Sequence, residues 1–200
     1  MKTIVIATKN KGKIREMTQA FEGLPVKLVP LSEFGELPDA VEDGTTFEEN
    51  AKIKALYYRK ETDTACLADD SGLEVEALSG APGVYSARFA GEHADDDANN
   101  QKLLDEIAKK GLDASPAAYR CVLAFADTDG SVLTAAGSCE GVIRPESRGN
   151  GGFGYDPYFY IEGNKTMAEL TLSEKDAISH RGKALREMAI KLSAYLRSKK

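Results

Sequence analysis

Two adjacent carboxylates and a hydroxyl stand where an apolar run stops, in Leu67-Ala68-Asp69-Asp70-Ser71-Gly72. Upstream, Thr64-Ala65-Cys66-Leu67-Ala68 reads as a short buried strand, because it is apolar, too short for a stable helix and bounded by polar turn residues. The pattern predicts that the strand ends at the acids and that Gly72 turns the backbone. In an open α/β sheet, ligands bind at the carboxyl ends of strands, and paired carboxylates there suit a divalent metal or a general base. The same residues also suit an ordinary Asx turn, in which Asp and Ser side chains bond their own backbone.

A chain of 200 residues, 42% of them hydrophobic, can bury a sizeable interior as one large domain or as two lobes sharing a core. Its formal charge of -6 speaks against a broad nucleic-acid footprint, so any phosphate should be met locally. Cys66, Cys121 and Cys139 are odd in number and lack metal-ligand spacing. Buried free thiols in a reducing compartment account for them. Met1 leads straight into a strand pattern, with no charged leader and no apolar run of transmembrane length. The expectation is a soluble cytoplasmic protein with no membrane partner.

Lys2 to Ala7 is a strand by its β-branched content, and Ile14, Met17, Ala20 and Phe21 have helical spacing. Between them, Thr8-Lys9-Asn10-Lys11-Gly12-Lys13 makes a strand, turn and helix amino terminus, a natural anion site because free N–H groups and the helix dipole point at the ligand. It is not a Walker A loop, since Ala7 stands where that motif has its first glycine and Ile14 where it has Ser or Thr. A solvated lysine-rich loop is the other reading. Val26 to Val29 is a second strand, and Thr46 with Glu49 forms a capping-box pattern that predicts a helix over 47–60. Asn50, Lys54 and Tyr57 then share a face. If that face meets a ligand, Lys54 reaches a phosphate and Glu42 a metal; otherwise the helix is exposed and amphipathic.

Gly80 to Phe89 is too rich in Gly and Pro to be regular, and Asp95-Asp96-Asp97 opens a helix to about Lys110 with Gly111 as its cap. Tyr119 to Ala126 and Ser131 to Ile143 are strands around an Asp127-Thr128-Asp129-Gly130 hairpin turn. The glycine-rich run from Arg148 to Pro157 precedes an aromatic strand over 158–161. Its glycines allow close backbone approach, and Phe153 or Tyr155 offers a ring face for a flat base or an anchor into the core. Finally, Ser179-His180-Arg181-Gly182-Lys183 leads into a helix with Leu185, Met188, Leu192 and Tyr195 on one face, and Ser179 suits its N-cap. Basic residues at that amino terminus oppose the helix dipole and hint at an anionic ligand.

Six motifs in this order closely resemble the inosine/xanthosine triphosphate pyrophosphatase family: Thr8 to Lys13, Thr46 to Ala51, Ala68 to Gly72, Gly80 to Arg88, Gly151 to Pro157 and Ser179 to Gly182. The resemblance runs nearly end to end. It implies a single such domain over residues 1–200, an elongated two-lobed α/β molecule with a central mixed β-sheet flanked by helices, an active-site cleft between the lobes and no separable linker. It also implies a homodimeric, Mg²⁺-dependent enzyme that cleaves ITP, dITP and XTP to the monophosphate and pyrophosphate, clearing deaminated purines from the nucleotide pool. By the same resemblance, Asp70 is the proton acceptor and, with Glu42, a metal ligand, while Asp69 and Lys54 support catalysis. Thr8, Lys9, Asn10, Lys11, Gly12, Lys13, Ser71, Phe153, Gly154, Tyr155, Asp156, Lys175, His180 and Arg181 contact the nucleotide. Family members can carry two acids before the glycine that is Gly44 here, and this chain has Glu42-Asp43, so the second ligand is one of these two.

Lysines and Arg181 from separate segments would neutralise a triphosphate, and Mg²⁺, which keeps most of its waters, needs only one or two protein carboxylates. Stacking cannot separate purines, so base choice must come from the edges: donors at the 6-position, such as Arg181, His180 or a helix N–H, exclude adenine, and close packing or an unfavourable donor at the 2-amino group excludes guanine. Two rival classes are a nucleotide sensor without turnover and an aspartyl phosphatase. The second usually spaces its acids Asp-x-Asp, unlike Asp69-Asp70.

Overall fold

The computed structural model describes residues 1–199. In chain order the regular elements are β1 (Lys2–Ile6), α1 (Lys11–Ala20), β2 (Val26–Pro30), α2 (Phe47–Thr62), β3 (Ala65–Val75), α3 (Asp96–Lys109), β4 (Ser115–Ala126), β5 (Val132–Ile143), β6 (Phe159–Tyr160), α4 (Leu172–Ile178) and α5 (His180–Ser198). The strands form one mixed sheet in the order β2-β1-β3-β4-β5-β6. β1 runs parallel to β2 and β3, and β5 antiparallel to β6. A tight turn closed by the Asp127 N–H on the Ser131 carbonyl joins β4 to β5. No helix of the described residues is long and apolar enough to cross a membrane.

The chain packs into two compact units. The first holds Met1–Asp70, Cys121–Gly137 and the segment from Arg181 onward; the second holds Ser71–Arg120 and Ser138–His180. In the first unit, period-two alternation sorts the strand residues between two cores. Ile4, Ile6, Ala65, Leu67, Leu123 and Phe125 pack with Met17 and Phe21 and with Ala184, Leu185, Met188 and Leu192 of α5. Val5, Ala7, Cys66, Ala68, Ala124 and Ala126 pack with Ala51, Ala55 and Tyr58. The first unit's part of the sheet is thus covered by α1 and α5 on one face and by α2 on the other. The second unit packs Leu73, Val75, Ile143, Phe159 and Met167 around Leu103 and Ile107 of α3.

The structure corrects the first expectation. β3 does not stop at Ala68 but continues through Asp69, Asp70, Ser71 and Gly72 to Val75. Leu73 and Val75, both wholly buried in the second unit's core, give the chain a reason to stay extended past its polar stretch. Neither acid lies at a strand end, and Gly72 makes no turn. Elsewhere, α4 is a short helix with its own Thr171/Glu174 capping box, in a stretch where the sequence reading placed no element. The aromatic strand is only two residues long, because Asp156–Tyr158 forms a 3₁₀ turn around Pro157. The three cysteines are buried and outside any disulfide, as expected, and burial pushes the thiols of Cys66 and Cys121 up to about 12.

Candidate active site

Because β3 carries both acids, alternation sends them to opposite faces of the sheet. Asp69 continues the series Ala65, Leu67 towards α1 and α5, where it is 1% exposed. There its Oδ2 lies 2.9 Å from Lys13 Nζ and 3.6 Å from Arg181 Nε, and Arg181 Nη1 lies 3.2 Å from Glu16 Oε2. Burial opposes ionisation, but the surrounding Lys13, Arg181 and Lys54 charges outweigh it and hold the Asp69 carboxyl well below the usual range.

Asp70 continues the series Cys66, Ala68 towards α2. Burial raises its carboxyl to about 6, with Glu42 and Asp69 adding to the rise; the Lys54 charge and a hydrogen bond with Asn50 only partly offset them. The two acids thus differ in their side-chain settings: Asp69 pairs with Lys13 and Arg181, whereas Asp70 feels Lys54, Asn50 and Glu42. Lys54 Nζ lies 2.9 Å from Glu42 Oε2 and donates to the Asp69 carbonyl at 3.0 Å. Although burial works against its charge, Asp69, Glu42 and Asp70 together keep Lys54 protonated above its ordinary value. α2 places Lys54 through the capping box read from the sequence, with the Thr46 Oγ1 accepting from Glu49 N and the Glu49 carboxylate accepting from Thr46 N. Asn50, one turn earlier, accepts the Gly44 N–H at 2.8 Å and so fixes the segment bearing Glu42. Any side chain at Gly44 would meet Asn50 and Glu49 at 2.7 Å.

Asn10 caps α1, its side-chain oxygen accepting from the N–H groups of Gly12 and Lys13. Thr8 Oγ1 accepts in turn from Asn10 N. The helix N–H groups expected to be free for an anion are thus partly engaged by the loop itself.

In the second unit a buried carboxylate organises the glycine-rich loop. Asp156, 3% exposed, accepts from Tyr119 Oη at 3.1 Å on one oxygen. Its other oxygen accepts from Lys175 Nζ at 2.6 Å and Phe153 N at 3.0 Å. Gly152, at φ +74°, leaves the room this requires, since a Cβ there would collide with Asp156 Oδ2. Phe153 is half exposed, with the Lys175 ammonium 4.8 Å from its ring centre. Tyr155 is buried and donates to the Ser86 carbonyl, so its ring anchors the loop rather than offering a face. Asp96 accepts the Gly154 N–H at 2.7 Å, and Asn100 donates to the Gly154 carbonyl at 2.9 Å. His180 is buried with its ring stacked on Tyr119, centroids 4.8 Å apart and planes 14° apart.

With this geometry in view, the sequence profile of the Ham1 family matches residues 4–191. The chain belongs to the Ham1 family. Among curated proteins it is 52% identical over 185 residues to the dITP/XTP pyrophosphatase of Desulforamulus reducens, covering 92% of each chain. It is 50% identical over 186 residues to that of Geobacter sulfurreducens, covering 92% of this chain and 94% of the relative. A HAM1 protein from Coxiella burnetii superposes with a TM-score of 0.91 at 43% identity, covering 97% of this chain and all of that one.

In this Ham1 chain the expected residues fall into two groups. The first unit brings together Lys13, Glu42, Lys54, Asp69, Asp70 and Arg181 through direct pairs or mutual electrostatics. Lys9 stands apart, exposed and paired with Asp39, and Lys11 is exposed. The second unit joins Phe153, Asp156 and Lys175 directly, and reaches His180 through Tyr119. Ser71 lies on β3 within that unit. Glu16, Tyr119, Asp96 and Asn100 were missed as contributors, as was the contact of Asn50 with Asp70. Only Asn50 carried a signal, its shared helix face with Lys54. The others act on residues 54 to 165 positions away or sit inside a strand that reads as plain core.

Proposed function

We propose that this Ham1 protein hydrolyses the triphosphates of deaminated purines, ITP, dITP and XTP, to the nucleoside monophosphate and pyrophosphate. The observation that carries the reading is Asp70: a carboxyl poised at about 6, beside Lys54, in a chain half identical to dITP/XTP pyrophosphatases. A general base works best with an affinity for protons near the working pH. Asp70 therefore accepts the proton of the attacking water, while Lys54 and Lys13 meet phosphate oxygens as charge builds on them.

Among the described residues no three His, Cys, Asp or Glu side chains converge on one point. Glu42 and Asp70 nonetheless suit Mg²⁺, which takes one or two carboxylates and completes its shell with waters and substrate phosphates. Both already surround one cation, the Lys54 ammonium, and burial still holds the Asp70 carboxyl at about 6, so a second positive charge would be welcome there. Glu42 fits better than Asp43, which is exposed while Glu42 is held by Lys54. When bound, Mg²⁺ supplies charge neutralisation of the phosphates and lowers the pKa of a coordinated water. A homodimer is the assembly we assign to the enzyme in solution.

Base recognition falls to the second unit's cluster. Phe153 offers a ring face, His180 and Lys175 offer donors for a 6-oxo group, which adenine lacks, and GTP is refused at its 2-amino group, where hypoxanthine has hydrogen and xanthine has oxygen. The test is a panel of nucleoside triphosphates with Mg²⁺, with pyrophosphate and orthophosphate measured separately. Pyrophosphate from ITP, dITP and XTP well above that from ATP and GTP is expected. Binding without product would make the protein a sensor, and orthophosphate with a phosphorylated chain would make it an aspartyl phosphatase.

A further inference from the structure

Tyr119 sits on β4 in the second unit's core, where packing needs only its ring. A phenylalanine would fill the same space against Phe159, whose ring centre is 4.4 Å away. The hydroxyl serves a different purpose, since it donates to Asp156 Oδ1 at 3.1 Å in a place where both partners are more than nine-tenths buried. A buried carboxylate needs every such donor, because an oxygen left without one is penalised by desolvation. Asp156 in turn holds Lys175 Nζ and Phe153 N on its second oxygen. The tyrosine's face is used as well: His180 lies flat against it at 4.8 Å. An offset stack fixes the plane of an imidazole and hence the direction in which its nitrogens point.

One side chain therefore governs the orientation of three groups that the functional reading assigns to the nucleotide. We propose that Tyr119 is the positioning residue for purine-base recognition, its hydroxyl setting Asp156, and through it Lys175 and Phe153, and its ring setting His180. The inference rests on the pyrophosphatase reading above and adds a residue to it. Burial keeps the phenol protonated well above its ordinary range, so the hydroxyl remains a donor at any working pH.

The test compares wild type, Tyr119→Phe and Tyr119→Leu, with pyrophosphate release from ITP and ATP measured under saturating Mg²⁺ and thermal unfolding followed alongside. Tyr119→Phe keeps the stack and loses the donor to a charged acceptor. It should raise KM for ITP roughly tenfold with kcat near wild type, and narrow the ITP to ATP preference by a similar factor. Tyr119→Leu, which loses the stack as well, should narrow it further. Equal falls for ITP and ATP, or an unchanged preference in Tyr119→Phe, would reduce Tyr119 to a core residue. If Tyr119→Phe does not fold, Asp156→Asn keeps the carboxyl's shape and should narrow the preference likewise; an unchanged preference there overturns the proposal too. No pyrophosphate from ITP in the wild type would overturn the functional reading and this proposal with it, whereas normal wild-type turnover with an unaltered variant overturns the proposal alone.

Discussion

Asp69 and Asp70 are bonded neighbours with opposite electrostatic fates, and the strand's alternation is the cause. Asp69 turns to two cations and is held ionised; Asp70 turns to a face where burial raises its affinity for protons to about 6. A carboxyl whose folded value lies above its unfolded one favours folding at low pH and loses that contribution as pH rises through the folded value. Asp70→Asn removes the titration. In a chelator, the variant should gain on the order of 2 kcal/mol of unfolding free energy over wild type between about pH 4 and pH 8, while its turnover falls roughly 10²- to 10⁴-fold. A stability difference that stays flat with pH in urea titrations would put Asp70 in a solvated setting. Arg181 invites the contrary experiment. Its guanidinium is buried between Asp69 and Glu16, so Arg181→Ala strips a buried carboxylate of one of its cations. The loss should be about 3 to 5 kcal/mol in chemical unfolding. Stability near wild type with altered base preference would make Arg181 a reader of the nucleotide instead. The sequence revealed which residue types matter here, but not their partners, because Glu16 lies 165 positions from Arg181 and only folding brings them together.

Helices were most legible where their ends carry their own chemistry. Thr46 and Glu49 specify the start of α2, and Asp95 caps α3 by accepting from Ala98 N, both readable within four residues of chain. The same local logic, Thr171 with Glu174, marks α4 and could have found it. What local logic cannot supply is the second use of a capping element. Asp96 reads as a charge matched to a helix dipole, yet its carboxylate also takes the Gly154 N–H 58 residues away. Asn10 shows the reverse, since the loop read as an anion site also carries the helix cap that places Lys13. Asn10→Ala should therefore cost about 1 kcal/mol of stability and also weaken triphosphate binding, because Lys13 follows the first turn of α1. Calorimetric titration of a non-hydrolysable ITP analogue would check this; unchanged affinity would separate the cap from the site.

At the scale of the molecule, the misplaced end of β3 has the largest consequence. A strand that stopped at Ala68 would belong to one core, whereas the observed β3 gives Ala65 and Leu67 to one unit's core and Leu73 and Val75 to the other's. β4 and β5 are likewise divided, at Arg120 and at Gly137. The alternation of Leu73 and Val75 was visible, but the Asp, Ser and Gly ahead of them read as punctuation, since turn propensity is judged locally and the later burial of Leu73 and Val75 is not. Three strands shared by two cores make the backbone ladder common to both, so loss of one core withdraws support from strands the other needs. Leu67→Ala and Leu73→Ala, six residues apart on one strand but in different cores, should each cost about 2 to 5 kcal/mol. Both should lower the same single calorimetric transition, with van't Hoff and calorimetric enthalpies in agreement. A scan that splits into two steps, with Leu67→Ala moving one and Leu73→Ala the other, would show instead that the units melt independently and that the shared strands carry no cooperativity.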